Sequence, residues 1–358
     1  MNSPLLNEWS ERIKLATQQK TPLRLQGGGS KLFYGETTEG DLFDLRAHTG
    51  IVAYAPSELV VTVNSGTPLA ELEQVLAEKN QFLPFEPPHF GPNATVAGCI
   101  AAGLAGPRRA AAGGAKDFVL GAHLLDGSGQ YLRFGGQVMK NVAGYDVSRL
   151  LCGSLGSLGV ITQLSLKVLP LPEHELTVKL AIEQADALQR INNLSAEPLP
   201  ISASVWLNDH LYVRLSGAPS PIEVAVQAIG GKSLPPEQAQ DFWQQIKEQT
   251  HTFFAEKPNH TLWRLSVPST SAPVLAEHEQ LIEWGGALRW LHSQQEAESI
   301  RTAVAKIGGT ATAFRNGPEK TPYFHPQAPI NLKIQQRLKE KFDPAGIFNP
   351  GRFYAKEL

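Results

Sequence analysis

Three glycine-rich segments, set in order along the first half of the chain, restrict this sequence more than anything else in it: Gly27-Gly28-Gly29-Ser30, Thr95–Gly103 and Gly153–Gly159. The first follows a strand-like run, Pro22–Gln26. Consecutive glycines let backbone approach a ligand closely and turn several N–H groups the same way, which makes a nest for a phosphate or pyrophosphate. Ser30 adds a hydroxyl. The plainer alternative is a flexible turn. The second segment, Thr95-Val96-Ala97-Gly98-Cys99-Ile100-Ala101-Ala102-Gly103, is dominated by small residues. Such a stretch lets a flat, bulky ligand lie against backbone, or else packs as a tight helix. The third, Gly153-Ser154-Leu155-Gly156-Ser157-Leu158-Gly159, repeats glycine every third residue ahead of the alternating strand Val160–Leu169. Packing alone does not explain that spacing.

Other nucleotide patterns fail. No G-x-G-x-x-G follows a strand, and Gly231-Lys232-Ser233 looks like the end of a P-loop but has Val226 where its first glycine belongs. There is no H-E-x-x-H, C-x-x-C or nucleophile elbow. Cys99 and Cys152 are the only cysteines, so the chain cannot supply four thiolates to an iron–sulfur cluster, and they suit a reducing compartment. A net charge of −2 gives no reason to expect nucleic acid or an anionic membrane as partner. No metal site is expected. No apolar run approaches the ~18 residues of a membrane span. Met1–Lys20 lacks a signal-like apolar core and sets Leu5, Trp9, Ile13 and Leu15 on one face of a short surface helix. The expectation is a soluble, cytoplasmic protein that meets a membrane only through partners.

At 358 residues the chain exceeds the roughly 250–300 that one core serves, which predicts two domains. In the first, Ile51–Ala55 and Leu59–Asn64 are strands flanking Pro56-Ser57-Glu58. A helix follows, capped by Thr67 with Pro68 in its first turn and Leu69, Leu72 and Leu76 on one face. Phe118–Leu125 and Gln130–Phe134 form a hairpin around Asp126-Gly127-Ser128-Gly129. Pro170-Leu171-Pro172-Glu173 reads as a linker. Beyond it come strand Leu176–Ile182, helix Gln184–Leu194, hairpin Ser202–Leu207 and Leu211–Ser216, and helix Pro221–Ile229 stopped by Gly230-Gly231. A second round follows: strand Thr261–Val267, helix Ala272–Ile282, strand Ala287–Leu291, helix Gln294–Ile307 stopped by Gly308-Gly309, and strand Thr310–Arg315. Two rounds suggest a duplicated α+β unit with an antiparallel sheet. Helix Asn331–Lys341 precedes a Gly/Pro-rich end. Its Phe342, Ile347, Phe348 and Phe353 are too apolar to trail in solvent.

Taken in order, the three glycine segments resemble the vanillyl-alcohol-oxidase and p-cresol-methylhydroxylase family of FAD domains, over about residues 20–170. The resemblance implies an α+β chain: a two-subdomain FAD-binding domain of p-cresol-methylhydroxylase (PCMH) type at 1–171, a smaller ferredoxin-like α+β substrate-side domain at 172–330, and a tail, 331–358, packing back on the first. It implies that Gln26, Gly27, Gly28, Gly29 and Ser30 hold the pyrophosphate. Thr95, Gly98, Gly103, Asp117, Gly121, Gly153, Ser154, Gly156, Gly159 and Ile161 would wrap the adenosine and isoalloxazine, and Pro56, which begins the family's turn before its next strand, is also expected among the cofactor-binding residues. Many members tether FAD through a histidine beside the glycine loop; here Leu25-Gln26-Gly27 has none, and no His, Cys or Tyr follows before Tyr34, so non-covalent FAD is expected.

Further segments sharpen the resemblance to the FAD-binding subunits of bacterial glycolate oxidases: Arg24–Ser30, Pro107-Arg108-Arg109, Met139–Asp146, Leu262–Pro268, Trp284–Leu291 and Phe342–Arg352. That implies a heteromeric enzyme oxidising glycolate, a small 2-hydroxy acid, to glyoxylate, completed by a larger related flavoprotein subunit and a separate iron–sulfur subunit. The rivals are a self-sufficient FAD-linked dehydrogenase of D-lactate or another 2-hydroxy acid, and a non-catalytic bracing subunit. Catalytic candidates are few. Arg264 offers a bidentate carboxylate clamp, against the alternative of a surface arginine on an alternating strand. His292 and His325 offer general bases, against purely structural histidines. Trp263, Trp284 and Trp290 read as core.

Overall fold

The computed structural model describes residues 3–136, 146–317 and 322–353; of the segment Met139–Asp146 named above, only Asp146 lies within them. In the first half, β1 (Leu23–Gln26) and β2 (Asp41–Asp44) pair in parallel. Helix α1 (Pro4–Gln19) covers them, burying Leu6, Trp9, Ile13 and Ala16 against Leu23 and Phe43. Those spacings of three and four make one helical face. Leu15, expected on that face, is 52% exposed, and Leu6 and Ala16 take the buried positions instead.

The remaining strands of this half are β3 (Ile51–Ala55), β4 (Val60–Asn64), the two-residue β5 (Gln81–Phe82), β6 (Val119–Leu125), β7 (Tyr131–Gly135), β8 (Val160–Lys167) and the two-residue β9 (Leu169–Pro170). β5 pairs with β9; the others form an antiparallel sheet in the order β3-β4-β8-β6-β7. Helix α2 (Leu69–Ala77) buries Leu69, Leu72 and Leu76 against Val61, Val63, Leu164 and Leu166, each burial being worth roughly 1.5–3 kcal/mol. Thr67 does not cap it. Pro68 stands at the N-cap, while the Thr67 hydroxyl accepts from Gly50 N at 3.0 Å and donates to Asn64 O at 2.8 Å. Helix α3 (Val96–Ala102) is capped by Thr95, whose hydroxyl accepts from Gly98 N at 3.3 Å. A single turn, α4 (Arg109–Ala112), follows.

The second half runs β10 (His174–Ala181), α5 (Gln184–Ser195), β11 (Ile201–Leu207), β12 (His210–Gly217), α6 (Pro219–Ile229), β13 (Lys232–Ser233), α7 (Pro236–Glu248), β14 (Thr261–Ser266), β15 (Gln280–Glu283), β16 (Leu288–Ser293), α8 (Ala297–Ala305) and β17 (Thr310–Arg315). Its eight strands form one antiparallel sheet, β13-β10-β12-β11-β15-β16-β14-β17. The first four strands in sequence take the spatial order fourth-first-third-second. The last four take the same order read from the other end, and β11 pairs with β15 at the seam. The sheet is therefore two ferredoxin-like units joined edge to edge.

The second unit lacks a helix between its first two strands. The helix expected over Ala272–Ile282 is absent, and β15 occupies the end of that span. Pro273 lies inside it, and Arg289, fully buried under the segment, donates to Ser271 O (2.6 Å), Ala272 O (2.8 Å) and Gly286 O (3.1 Å). Those carbonyls serve the guanidinium rather than a helical ladder. Helices α5, α6 and α8 cover one face of the sheet. The other face meets the first half, with α7 beside it burying Trp243 and Ile246.

Helix α9 (Pro329–Phe342) leads the chain back to the first half. Leu23 N donates to Ile347 O at 2.7 Å and Asn349 N to Leu23 O at 3.0 Å, so residues 347–349 run alongside β1. Phe348 is fully buried among Trp9, Leu23 and Phe43. Asp343 accepts from the N–H groups of Ile347 and Phe348 and pairs with Lys339 at 2.7 Å, which fixes the turn.

Candidate functional site

The glycine loop after β1, the start of α3 and the entry to β8 converge on one crevice. It encloses about 860 Å³ including its open mouth. Gln26, Gly27, Gly28, Gly29, Ser30, Thr95, Gly98, Gly156, Gly159 and Ile161 line it, together with Lys31, Ala101, Ala102, Leu155, Asn349 and Arg352. The backbone N–H groups of Gly28, Gly29, Ser30 and Lys31 make no hydrogen bond among the described residues. Four successive unsatisfied donors on a crevice wall form a concavity suited to an anion.

The glycines are required for different reasons. Gly29 has φ +73°, the left-handed region. Gly28 does not; a Cβ there would lie 1.3 Å from Asn93 O. The loop is thus seated on backbone at residue 93, and any side chain at 28 would lift it off.

Six expected positions do not line the crevice. Pro56 O accepts from the Gln81 side chain at 2.8 Å. Gly103 packs on Gly153, where a Cβ would sit 2.9 Å from the Gly153 Cα. Asp117 closes its own turn by accepting from Gly114 N at 2.9 Å. Gly121 lies where β6 meets β7, and a Cβ there would be 2.6 Å from Gly136 O. Gly153 and Ser154 line a separate apolar groove against α9.

The returning tail completes the wall. Asn349 accepts from Leu25 N at 2.8 Å and donates to Leu155 O at 2.7 Å. Arg352 donates to the carbonyls of Leu32 (3.0 Å), Tyr34 (2.8 Å) and Glu36 (2.8 Å), gathering the loop after the glycines. The sequence reading placed neither residue in the site. Nothing short of the fold brings residues 324 positions apart into contact.

Beside the crevice lies the inner face of the eight-stranded sheet. Tyr34, Leu155, Trp284, Trp290 and Phe314 share one apolar cluster there, which Ala102 joins from the crevice floor. Arg264 projects into it from β14, 5.3 Å from the Trp284 ring and 5.9 Å from that of Trp290. Glu283 is buried, accepts from Trp290 Nε1 at 2.8 Å, and is pushed up to about 7, chiefly by burial.

The two histidines are occupied elsewhere. His292 is buried and donates through Nε2 to Phe253 O at 2.7 Å, with its Nδ1 left without a partner; burial holds its pKa below the ordinary range. His325 Nδ1 accepts from Ala311 N at 3.3 Å, and burial lowers it too. Neither they nor Arg264 line the crevice. Among the described residues, no group of histidines, cysteines and carboxylates could hold a metal, and no helix is long and apolar enough to cross a membrane.

Comparison with known proteins agrees with this geometry. The sequence profile of the FAD binding domain matches residues 6–135. The chain is 46% identical to the glycolate oxidase subunit GlcE of Escherichia coli, over 97% of this chain and 96% of that one. It is 25% identical to the glycolate oxidase subunit GlcD of Bacillus subtilis over 98% and 87%, and 23% identical to a mitochondrial D-lactate dehydrogenase (cytochrome) of Arabidopsis thaliana over 96% and 71%. In fold it is similar to alkyldihydroxyacetonephosphate synthase, with a TM-score of 0.65 at 16% identity, over 96% of this chain and 74% of that one. The chain therefore belongs to the glycolate oxidase subunit GlcE family of FAD-binding oxidoreductases, built on the PCMH-type FAD fold.

Proposed function

We propose that this chain is the FAD-binding subunit of a complex that oxidises glycolate to glyoxylate and passes the electrons to an iron–sulfur partner. The carrying observation is the set of four unsatisfied amides, Gly28–Lys31, on the crevice wall. Bound FAD would supply two-electron chemistry. The chain's own part is to hold and orient it. Gln26–Ser30 would take the pyrophosphate; Thr95, Gly98, Gly156, Gly159 and Ile161 would lie against the rest of the cofactor. Among the described residues lining the crevice, none is a histidine, cysteine or tyrosine, which supports non-covalent binding. We take residues 1–171 as the FAD-binding domain, 172–330 as the substrate-side domain and 331–358 as the tail that closes the first.

Two observations favour a subunit over a self-sufficient dehydrogenase. Both candidate bases, His292 and His325, are tied to backbone outside the crevice. The chain's two cysteines cannot supply a four-thiolate cluster, which supports a separate iron–sulfur subunit as electron acceptor, with a larger flavoprotein as the second partner. Any membrane contact would come through those partners.

Flavin content tests this reading. The purified chain should be yellow, and acid precipitation should leave all flavin in the supernatant. Flavin in the pellet would refute non-covalent binding; a colourless native chain would refute the reading itself. Gly28→Val should abolish flavin binding through its clash with Asn93.

A further inference from the structure

We propose that Arg109 and Arg264 form one carboxylate-binding site where the two halves meet, taking the carboxylate of a small 2-hydroxy acid. The inference rests on the function proposed above and assigns the binding residues that reading leaves open.

Arg109 comes from α4 in the first half and Arg264 from β14 in the second. Both guanidinium groups lie over the same indole, that of Trp284, at 4.5 and 5.3 Å from the ring centroid. Trp284 is itself pinned to the first half, donating from Nε1 to Gly106 O at 3.0 Å. Neither guanidinium makes an ion pair or a hydrogen bond among the described residues. Among the described residues, the five buried arginines are all engaged with carboxylates or carbonyls, while Arg315, half-buried like Arg109 and Arg264, lies over Phe33, Phe90 and Phe314 instead of a shared indole. Arg108 and Arg214 bind Glu86 and Glu175, while Arg289, Arg301 and Arg352 bind carbonyls. Two like charges brought together without a counterion are unfavourable in a poorly solvated place, and a bound anion reverses that.

The neighbouring groups do not supply the missing charge. Asp117 favours the Arg109 cation from a distance but accepts from Gly114 N. Glu283 accepts from Trp290, and burial raises its pKa to about 7, so near neutral pH it is not a full counter-charge. The third group is Tyr34. Its hydroxyl has no hydrogen-bond partner among the described residues and feels both guanidiniums, and burial raises its pKa, so it remains a donor. The two guanidiniums present donors only and the protonated phenol adds another, which matches a carboxylate. Ala102 and Leu155 belong both to this cluster and to the crevice wall, so an acid held here sits next to the crevice.

The experiment uses the full chain loaded with FAD and calorimetric titration with oxalate, a carboxylate with no C–H bond to oxidise. Ethylene glycol serves as the uncharged control. Wild type should bind oxalate saturably and ethylene glycol not at all. Arg109→Gln and Arg264→Gln should each weaken oxalate binding about tenfold or more, the cost of losing one charged partner. Arg264→Lys should recover part of that. Tyr34→Phe, which removes only a hydroxyl, should cost about threefold. Oxalate binding unchanged in both glutamine variants, or absent from flavin-loaded wild type, would overturn the site. Flavin content, measured on every sample, reports separately on the FAD reading. Should a glutamine variant fail to fold, the lysine and phenylalanine variants decide the question alone.

Discussion

The two ferredoxin-like units share strand order but treat charge in opposite ways. On the inner face of the first, Arg214 is buried and bonded to Glu86 at 2.7 Å, inside a cluster that also takes in Arg108 and Glu175. On the same face of the second, Arg264 stands among tryptophans with no ion pair. The first unit uses its arginine to fasten the sheet to the other half of the molecule. The second leaves its arginine available. The same unit has also replaced a helix with a segment held by Arg289, so its departures from the repeat fall together. A duplicated scaffold can thus give one copy to attachment and free the other for binding.

That contrast can be broken by measurement. The largest effect belongs to Arg214→Leu. It removes one of the two guanidiniums that bind the buried Glu86 carboxylate, Arg108 remaining, and breaking a buried pair costs up to about 3–5 kcal/mol. Denaturant unfolding should show that loss; a change under about 1 kcal/mol would mean that Arg214 fastens nothing.

Glu283 comes next. Its folded pKa, about 7, lies above its ordinary 4.5, so its contribution to stability is intact below pH 4.5 and is lost as pH rises through 7. The loss reaches up to about 3 kcal/mol, and Glu283→Gln should remove it. Identical stability–pH curves for variant and wild type between pH 5 and 8 would show that Glu283 does not titrate as described.

The smallest effect is that of Arg264→Gln on stability, no more than about 1 kcal/mol, since only ring contacts are lost. A loss as large as that of Arg214→Leu would erase the distinction between the two units.

What could be read from the sequence was what backbone chemistry writes locally. The glycine loop, the small-residue helix and the hairpin at Asp126–Gly129 follow from rules that act within a few residues, and the first two supply part of the crevice wall. Where tertiary partners decide, the reading failed. Nothing local says that Arg289 will take the carbonyls of Ser271 and Ala272 and forbid a helix, or that Gly50 will claim the hydroxyl of Thr67. Helix α7 was passed over because Phe242, Trp243 and Ile246 are its only large apolar residues in a polar run. Arg109 was noticed only as part of a resemblance. Its place over Trp284 depends on two segments 175 positions apart meeting across the junction.

The tail also sets an order of events during synthesis. Leu25, at the lip of the glycine loop, receives its partner from Asn349, and the carbonyls beyond the loop are gathered by Arg352. A ribosome that has made the whole PCMH-type half has still not made the residues that close its crevice. The crevice wall is thereby complete only once translation has passed residue 352, and a chain stalled or clipped before that point lacks the contacts that Asn349 and Arg352 give its wall.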